Sequence, residues 1–110
     1  MSATWPLIRG RVYAAVVPPL ETEKFFVVVS NNARNAALPT VLAVRMTTSA
    51  KPKLASIIEF SDQESFVGRV LCDDIVELYA DEIQRDLGAL SPQTMHSIEA
   101  GLKVALGIRH

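Results

Sequence analysis

Cysteine is nearly absent from this chain of 110 residues: Cys72 stands alone, so no internal disulfide can form. Histidine is almost as scarce, with His96 inside an expected helix and His110 at the end, an arrangement that argues against a histidine-based nucleophilic triad. The five glycines build no phosphate-binding loop, and neither a paired CxxC nor an HExxH occurs, so no metal or other cofactor is expected. No apolar run approaches the ~18 residues that would span a bilayer. The first ten residues, MSATWPLIRG, lack the basic region and apolar core of a secretory signal. These absences predict a cytoplasmic protein in a reducing compartment, with no membrane partner.

What is present is apolar. Hydrophobic residues make up 49% of the sequence, enough at this length for one domain over residues 1–110 with apolar surface left over for a dimer interface. The net charge of −1 conceals an asymmetry. Residues 1–55 hold seven Lys or Arg against two Glu, a net of +5; residues 56–110 hold four against ten acids, a net of −6. The basic half could form a phosphate-binding face. Alternatively, the two halves interleave in space and cancel.

Short β-branched and aromatic runs bounded by Pro, Asn and Gly dominate the order of elements. Strands are expected over Arg9–Val17, Phe25–Val29, Thr40–Met46 and Leu54–Phe60. Two shorter ones, Arg69–Cys72 and Ile75–Tyr79, flank the acidic pair Asp73-Asp74, and Gln84–Leu87 makes one more. Met1–Leu7 reads as a loosely held lead-in and Leu20–Lys24 as a charged loop. Asn31 or Asn32 can cap one helical turn before Pro39. The clearest helix comes last: Ser91 caps it, Pro92 suits its first position and Gly107 ends it. Met95, Ile98, Leu102, Ala105 and Leu106 make its apolar stripe. Many short strands, one helical turn and a closing amphipathic helix describe a mainly β, small and strongly bent barrel.

The polar residues that remain are cations and hydroxyls: Arg9, Arg11, Lys24, Arg34, Arg45, Thr47, Thr48, Ser49, Lys51 and Lys53. Such a set suits cleavage of RNA. RNA carries its own nucleophile in the 2′-OH, so the protein need only align that oxygen, stabilise charge on the phosphoryl group and move protons. Cys72 reads as a small core filler and His96 as a surface residue. Asp73 and Asp74, adjacent in an extended segment, would point to opposite faces and make a poor metal or paired-carboxylate site.

The order of motifs resembles the MazF/PemK (Kid) toxins of bacterial toxin–antitoxin systems, whose small barrel is shared with the CcdB toxins. Arg9-Gly10-Arg11-Val12-Tyr13 is similar to the family's opening RG-x-[VI]-[YW] strand. Phe26-Val27-Val28-Val29-Ser30-Asn31 is similar to its VVVVSN strand, with Asn35 following. The segment Thr40 to Ser49 resembles TVIVVPLTS, and Gly88–Ser91 with Leu102–Gly107 resembles the closing IGxLS…ALxxxLGL. The resemblance implies an SH3-like barrel, a homodimer, and metal-independent cleavage of single-stranded RNA to a 2′,3′-cyclic phosphate. It also implies a cognate antitoxin that covers the RNA groove.

Family members use an Arg, from an Arg-Pro pair before the second strand, and a Thr at the end of the third. On this chain those positions fall at Lys24 and Thr47, so Lys24-Phe25 stands where Arg-Pro is expected. Lysine keeps the charge but loses the guanidinium fork. Arg45, where many relatives have Pro, or Arg11 would be the compensating cation. The remaining candidates, Arg9, Asn31, Arg34, Thr48, Ser49, Lys51 and Lys53, would support the site or bind RNA. The competing expectation is a CcdB-like barrel with a decayed site that binds a protein target.

Overall fold

The structure, a computed structural model, describes residues 4–109. His110 and the first three residues of the expected lead-in lie outside them. Six strands form one antiparallel sheet: β1 (Arg11–Ala15), β2 (Lys24–Val28), β3 (Thr40–Thr47), β4 (Ile57–Glu59), β5 (Arg69–Tyr79) and β6 (Ile83–Ala89). Their order across the sheet is β4-β5-β3-β2-β1-β6. Helix α1 (Asn32–Ala37) joins β2 to β3, and α2 (Pro92–Leu106) closes the described chain.

Alternation along the strands splits the core into two layers. Val12, Val27, Val44, Val70 and Cys72 face α2, where Met95 and Ile98 meet them. On the other face Tyr13, Phe26, Val28, Val41, Ala43 and Leu78 pack together with Leu7. Val28, Val41, Ala43 and Leu78 are wholly inaccessible although, among the described residues, no helix residue belongs to this apolar layer, so the sheet must curl to cover them. This is the bent barrel expected from the sequence. It is an open one: β4 and β6 are its edges, and no ladder joins them among the described residues.

Leu7 corrects the expectation of a loose lead-in. It is buried against Tyr13, and the Tyr13 hydroxyl accepts the Ile8 N–H at 3.0 Å. Burying one Leu side chain is worth about 1.5–3 kcal/mol, enough to hold a segment that pairs with no strand.

The two short strands expected on either side of Asp73-Asp74 are one long strand with a bulge. Val44 pairs with Ile75, but its neighbour Arg45 pairs with Leu71, so Cys72, Asp73 and Asp74 stand outside the ladder to β3. Cys72 N–H donates to the Ser56 carbonyl at 3.0 Å and the Ser56 hydroxyl to Asp73 Oδ2 at 2.7 Å, which pins the bulge. The strand expected over Leu54–Phe60 shrinks to Ile57–Glu59; Leu54 and Ala55 are exposed.

Both helices start where their caps indicate. Asn31 Oδ1 accepts from the Arg34 amide at 2.8 Å, and Ser91 Oγ from the Thr94 amide at 3.2 Å. Asn35 on α1 is fully buried; its Nδ2 donates to the Ser30 carbonyl at 3.0 Å, and the Ser30 hydroxyl accepts from Leu42 N–H at 2.9 Å. A buried amide with partners for its polar atoms ties α1 to β3. In α2 the expected stripe holds through Met95, Ile98 and Leu102, with Gly101 buried beside it, but does not run on to Leu106, which is exposed. A Cβ on Gly101 would stand 2.8 Å from Cys72 Sγ, so the missing side chain sets how closely α2 approaches β5.

Candidate active site

The second core layer is open at one end, and the candidate residues stand there. Phe26 pairs with Arg45 across β2 and β3; extending that register by two residues sets Lys24 opposite Thr47. Lys24, Arg45 and Thr47 therefore continue the face on which Phe26 and Ala43 are buried, at the point where the apolar residues run out. They line one groove of roughly 490 Å³. Thr48 and Ser49 extend its floor, and Ser65, Phe66 and Val67 form part of its wall.

The hydroxyl cluster is held in place. Thr47 Oγ1 accepts the Ser49 amide proton at 3.1 Å, which leaves the Thr47 hydroxyl proton free to donate into the groove. From β5, Arg69 Nη1 donates to the Ser49 carbonyl at 3.0 Å and also reaches the Thr48 carbonyl. Gly68 lies beneath: it has φ +102°, and a Cβ there would come within 2.3 Å of the Thr47 carbonyl oxygen. Only glycine permits this approach of backbone to backbone.

Arg45 Nε donates to Asp74 Oδ2 at 2.9 Å. Beside this pair a smaller, mostly apolar cavity of roughly 190 Å³ opens between Leu20 and Val76, and Lys24 and Arg45 border both spaces. Glu23, next to Lys24, is ion-paired with Arg85 of β6, which anchors the strand's entry. The Lys24 backbone pairs with Ala15 of β1, and its ammonium has no hydrogen-bond or ion-pair partner among the described residues.

The other candidates lie elsewhere. Arg9 pairs with Glu99 and donates to the Val29 carbonyl; Arg11 pairs with Asp86. The Asp86 hydrogen bond, despite some desolvation, holds the Arg11 guanidinium pKa above its usual value. Arg34 donates to the Thr40 carbonyl at 2.8 Å, and Asn31 caps α1. Lys51 and Lys53 line a second groove, roughly 460 Å³, with Leu54, Ile57 and Arg69. Arg69 lies between the two grooves and is one residue that sequence reasoning missed. Asp74 and Gly68 are two more, and the only sequence signal for Asp74 was a doubled acid in an apolar run.

The groove wall is also tied to α2. Glu64 Oε1 accepts the Ser91 amide at 2.9 Å, at the helix N-terminus. Burial acts to raise the Glu64 carboxyl pKa, but hydrogen bonds from the Ser91 amide, the Thr94 and Ser91 hydroxyls and the Ser65 amide outweigh it and leave the pKa lowered. Cys72 is a contrast: burial, then the Asp73 charge, pushes its thiol up to about 11. It belongs to the core, as expected.

Fold and groove together define a small curled-sheet protein with cations and hydroxyls gathered at one open groove. The chain belongs to the PemK-like, MazF-like toxins of type II toxin–antitoxin systems, whose family model matches residues 8–106. It is 35% identical over 101 residues to Endoribonuclease MazF1 of Mycobacterium bovis, covering 92% of this chain and 93% of that protein. The same identity and coverage hold for Endoribonuclease MazF4 of Mycobacterium tuberculosis. A mycobacterial endoribonuclease solved in complex with its cognate antitoxin superimposes with a TM-score of 0.86 at 34% identity, over 94% of this chain and 98% of that one. MazE–MazF from Deinococcus radiodurans shares the fold at 17% identity, with a TM-score of 0.79 over 96% of this chain and the whole of that one.

Proposed function

We propose that this protein is an endoribonuclease toxin that cleaves single-stranded RNA at the Lys24–Thr47 groove and is silenced by a cognate antitoxin. The observation that carries this reading is Lys24 and Thr47 lining one open groove, within a chain of this family. The substrate's 2′-oxygen attacks phosphorus: the O2′–P bond forms, the P–O5′ bond breaks, and a 2′,3′-cyclic phosphate remains. The 2′-OH proton leaves to water, and Lys24 donates the proton that the departing O5′ takes up. Thr47 donates its free hydroxyl proton to a phosphoryl oxygen as charge gathers there. No metal takes part in this scheme. The protein acts as one toxin domain, in the cytoplasm.

The test is cleavage of a single-stranded RNA panel in EDTA, with the product ends analysed for cyclic phosphate. Thr47→Ala and Lys24→Ala should each slow cleavage at least about tenfold, a barrier rise of ~1.4 kcal/mol or more. A wild-type protein that cuts no RNA, joined to a Lys24→Arg variant that does, would favour the decayed, protein-binding alternative.

A homodimer belongs to the same proposal. Val104 and Leu106, on the last turns of α2, are more than half exposed, as are Leu20 and Leu54. Such apolar surface suits burial against a second copy. Sedimentation at micromolar concentration should give twice the monomer mass, and a monomer there would refute it.

A further inference from the structure

Lysine at position 24 supplies charge without a fork, yet a phosphoryl group developing charge on two oxygens is best held by two parallel N–H donors. The groove holds one such fork. Arg45 is on the same face of β3 as Thr47, two residues before it, and pairs directly with Phe26, two residues along β2 from Lys24. The three side chains thus converge on the same stretch of groove.

What distinguishes Arg45 from the other cations is how it is held together with where it stands, since it alone among the described arginines lines this groove. Continuing the Val44–Ile75 register by one step would set Asp74 in the ladder opposite Arg45; instead the ladder shifts to Leu71. Asp74 is left outside the ladder, next to the two bulge residues that Ser56 pins, with its carboxylate on Arg45 Nε. The Arg45 side chain is 29% exposed and Asp74 41%, so the pair borders the groove and is not sealed beneath it. Nε makes the only hydrogen bond of this guanidinium among the described residues. A guanidinium fixed at Nε cannot turn freely about its last bonds, and its terminal edge, with two N–H groups in fork geometry, is left for a ligand. By contrast, the Arg9 guanidinium is taken up at both Nε and Nη2, Arg34 spends its terminal nitrogens on the Thr40 carbonyl and hydroxyl, and Arg69 spends its own on the Thr48 and Ser49 carbonyls and Glu59. Arg11 is held at Nε alone by Asp86 but does not line the groove.

We propose that Arg45, oriented by Asp74 at the β5 bulge, grips the two non-bridging oxygens of the scissile phosphate, making Arg45 a catalytic residue and Asp74 its positioning residue. The proposal rests on the ribonuclease reading of this groove. It divides the labour. The Arg45–Asp74 pair is neutral as a unit and contributes direction, while Lys24 contributes the net positive charge and the proton. Because the fork meets both oxygens best as charge accumulates on them, its effect falls on the rate more than on substrate affinity.

The experiment uses the full chain and a cleavable single-stranded RNA under single-turnover conditions. Affinity is measured separately with the same RNA carrying a 2′-deoxy nucleotide at the cleaved position. Arg45→Ala should slow cleavage on the order of a hundredfold, the usual loss for one donor to a developing oxyanion, while the deoxy RNA binds less than about tenfold more weakly. Arg45→Lys keeps the charge and the stem, and should remain at least about tenfold slow because it has no fork. Asp74→Asn should cost about tenfold alone and nothing further once Arg45 is alanine. Thermal melts of each variant identify any loss that comes from unfolding. Full activity of Arg45→Lys would overturn the fork, and an equal cost of Asp74→Asn in both backgrounds would overturn the positioning role. Wild-type protein that cleaves while Arg45→Ala cleaves equally well overturns this assignment alone. Wild-type protein that cleaves nothing overturns the ribonuclease reading beneath it.

Discussion

Individual side chains in this protein do chemistry according to what leaves them free. Thr47 has its oxygen occupied by an amide and its proton available, and the Lys24 ammonium has no hydrogen-bond or ion-pair partner among the described residues. Cys72 is the opposite case, fully buried with its thiol pushed up to about 11. At pH 8 that leaves about a thousandth of the sulfur as thiolate. Native protein should therefore resist iodoacetamide at pH 8 for as long as a free thiol takes to react fully, and should take up one label per chain in denaturant; rapid native labelling would show the thiol to be accessible. Of the candidate site, Thr47, Thr48 and Ser49 were legible in the sequence because a strand end followed by hydroxyls and cations is a local pattern, whereas Lys24 was singled out by its resemblance to the family's Arg-Pro position. Gly68, Arg69 and Asp74 were not. Each reaches the site from β5 or its entry, about 20 to 30 residues away, and a cross-strand contact of that kind leaves no spacing to read.

At the level of elements, the strands and helices followed local signals closely where those signals were turn or cap residues. Ser91, Pro92 and Gly107 bound α2, and Asn31 starts α1. Boundaries set by tertiary packing were not legible: Leu7 looked like part of a tail, and two strands around Asp73-Asp74 proved to be one, because only the β3 partner reveals the bulge. The Glu64–Ser91 contact is another such link, joining a groove-wall loop to the N-terminus of α2. A carboxylate there is favoured both by the amide and by the helix dipole. Since the folded pKa is lowered, this stabilisation is complete above the ordinary carboxylate range and is lost as pH falls through the folded value. Glu64→Gln should melt roughly 5 °C below wild type at neutral pH, for a loss of about 1 kcal/mol. The gap between the two melting curves should close as the pH drops below about 4.5. A gap that persists at pH 3 would mean the carboxylate charge is not the source.

Over the whole molecule, the charge asymmetry of the sequence resolves into partial interleaving. Arg9, Arg11 and Arg45 from the basic half each pair with an acid of the other half. Lys24, Lys51 and Lys53 have no ion-pair partner among the described residues and line two grooves, linked by the hydrogen bonds from Arg69 of the second to the Thr48 and Ser49 carbonyls of the first. RNA following both grooves would neutralise several phosphates, and each contributes about −0.7 to the slope of log affinity against log salt for a single strand. Replacing Lys51 and Lys53 together by Ala should make that slope shallower by about 1.4 for a 2′-deoxy RNA long enough to cover both grooves. An unchanged slope would confine the RNA to the first groove.

The sheet order has one more consequence, in time. The first strand, β1, lies between β2 and β6, so its outer edge is completed only by a strand that begins at Ile83. The groove likewise needs Asp74 and the wall at Phe66 before Arg45 and Thr47 are held as described. A chain emerging from a ribosome therefore displays Lys24 and Thr47, the residues proposed to act, before the strands that complete their groove. The groove proposed to cleave RNA is thus complete only once β5 has been made and its sheet only once β6 has, so a half-built copy would lack the finished site.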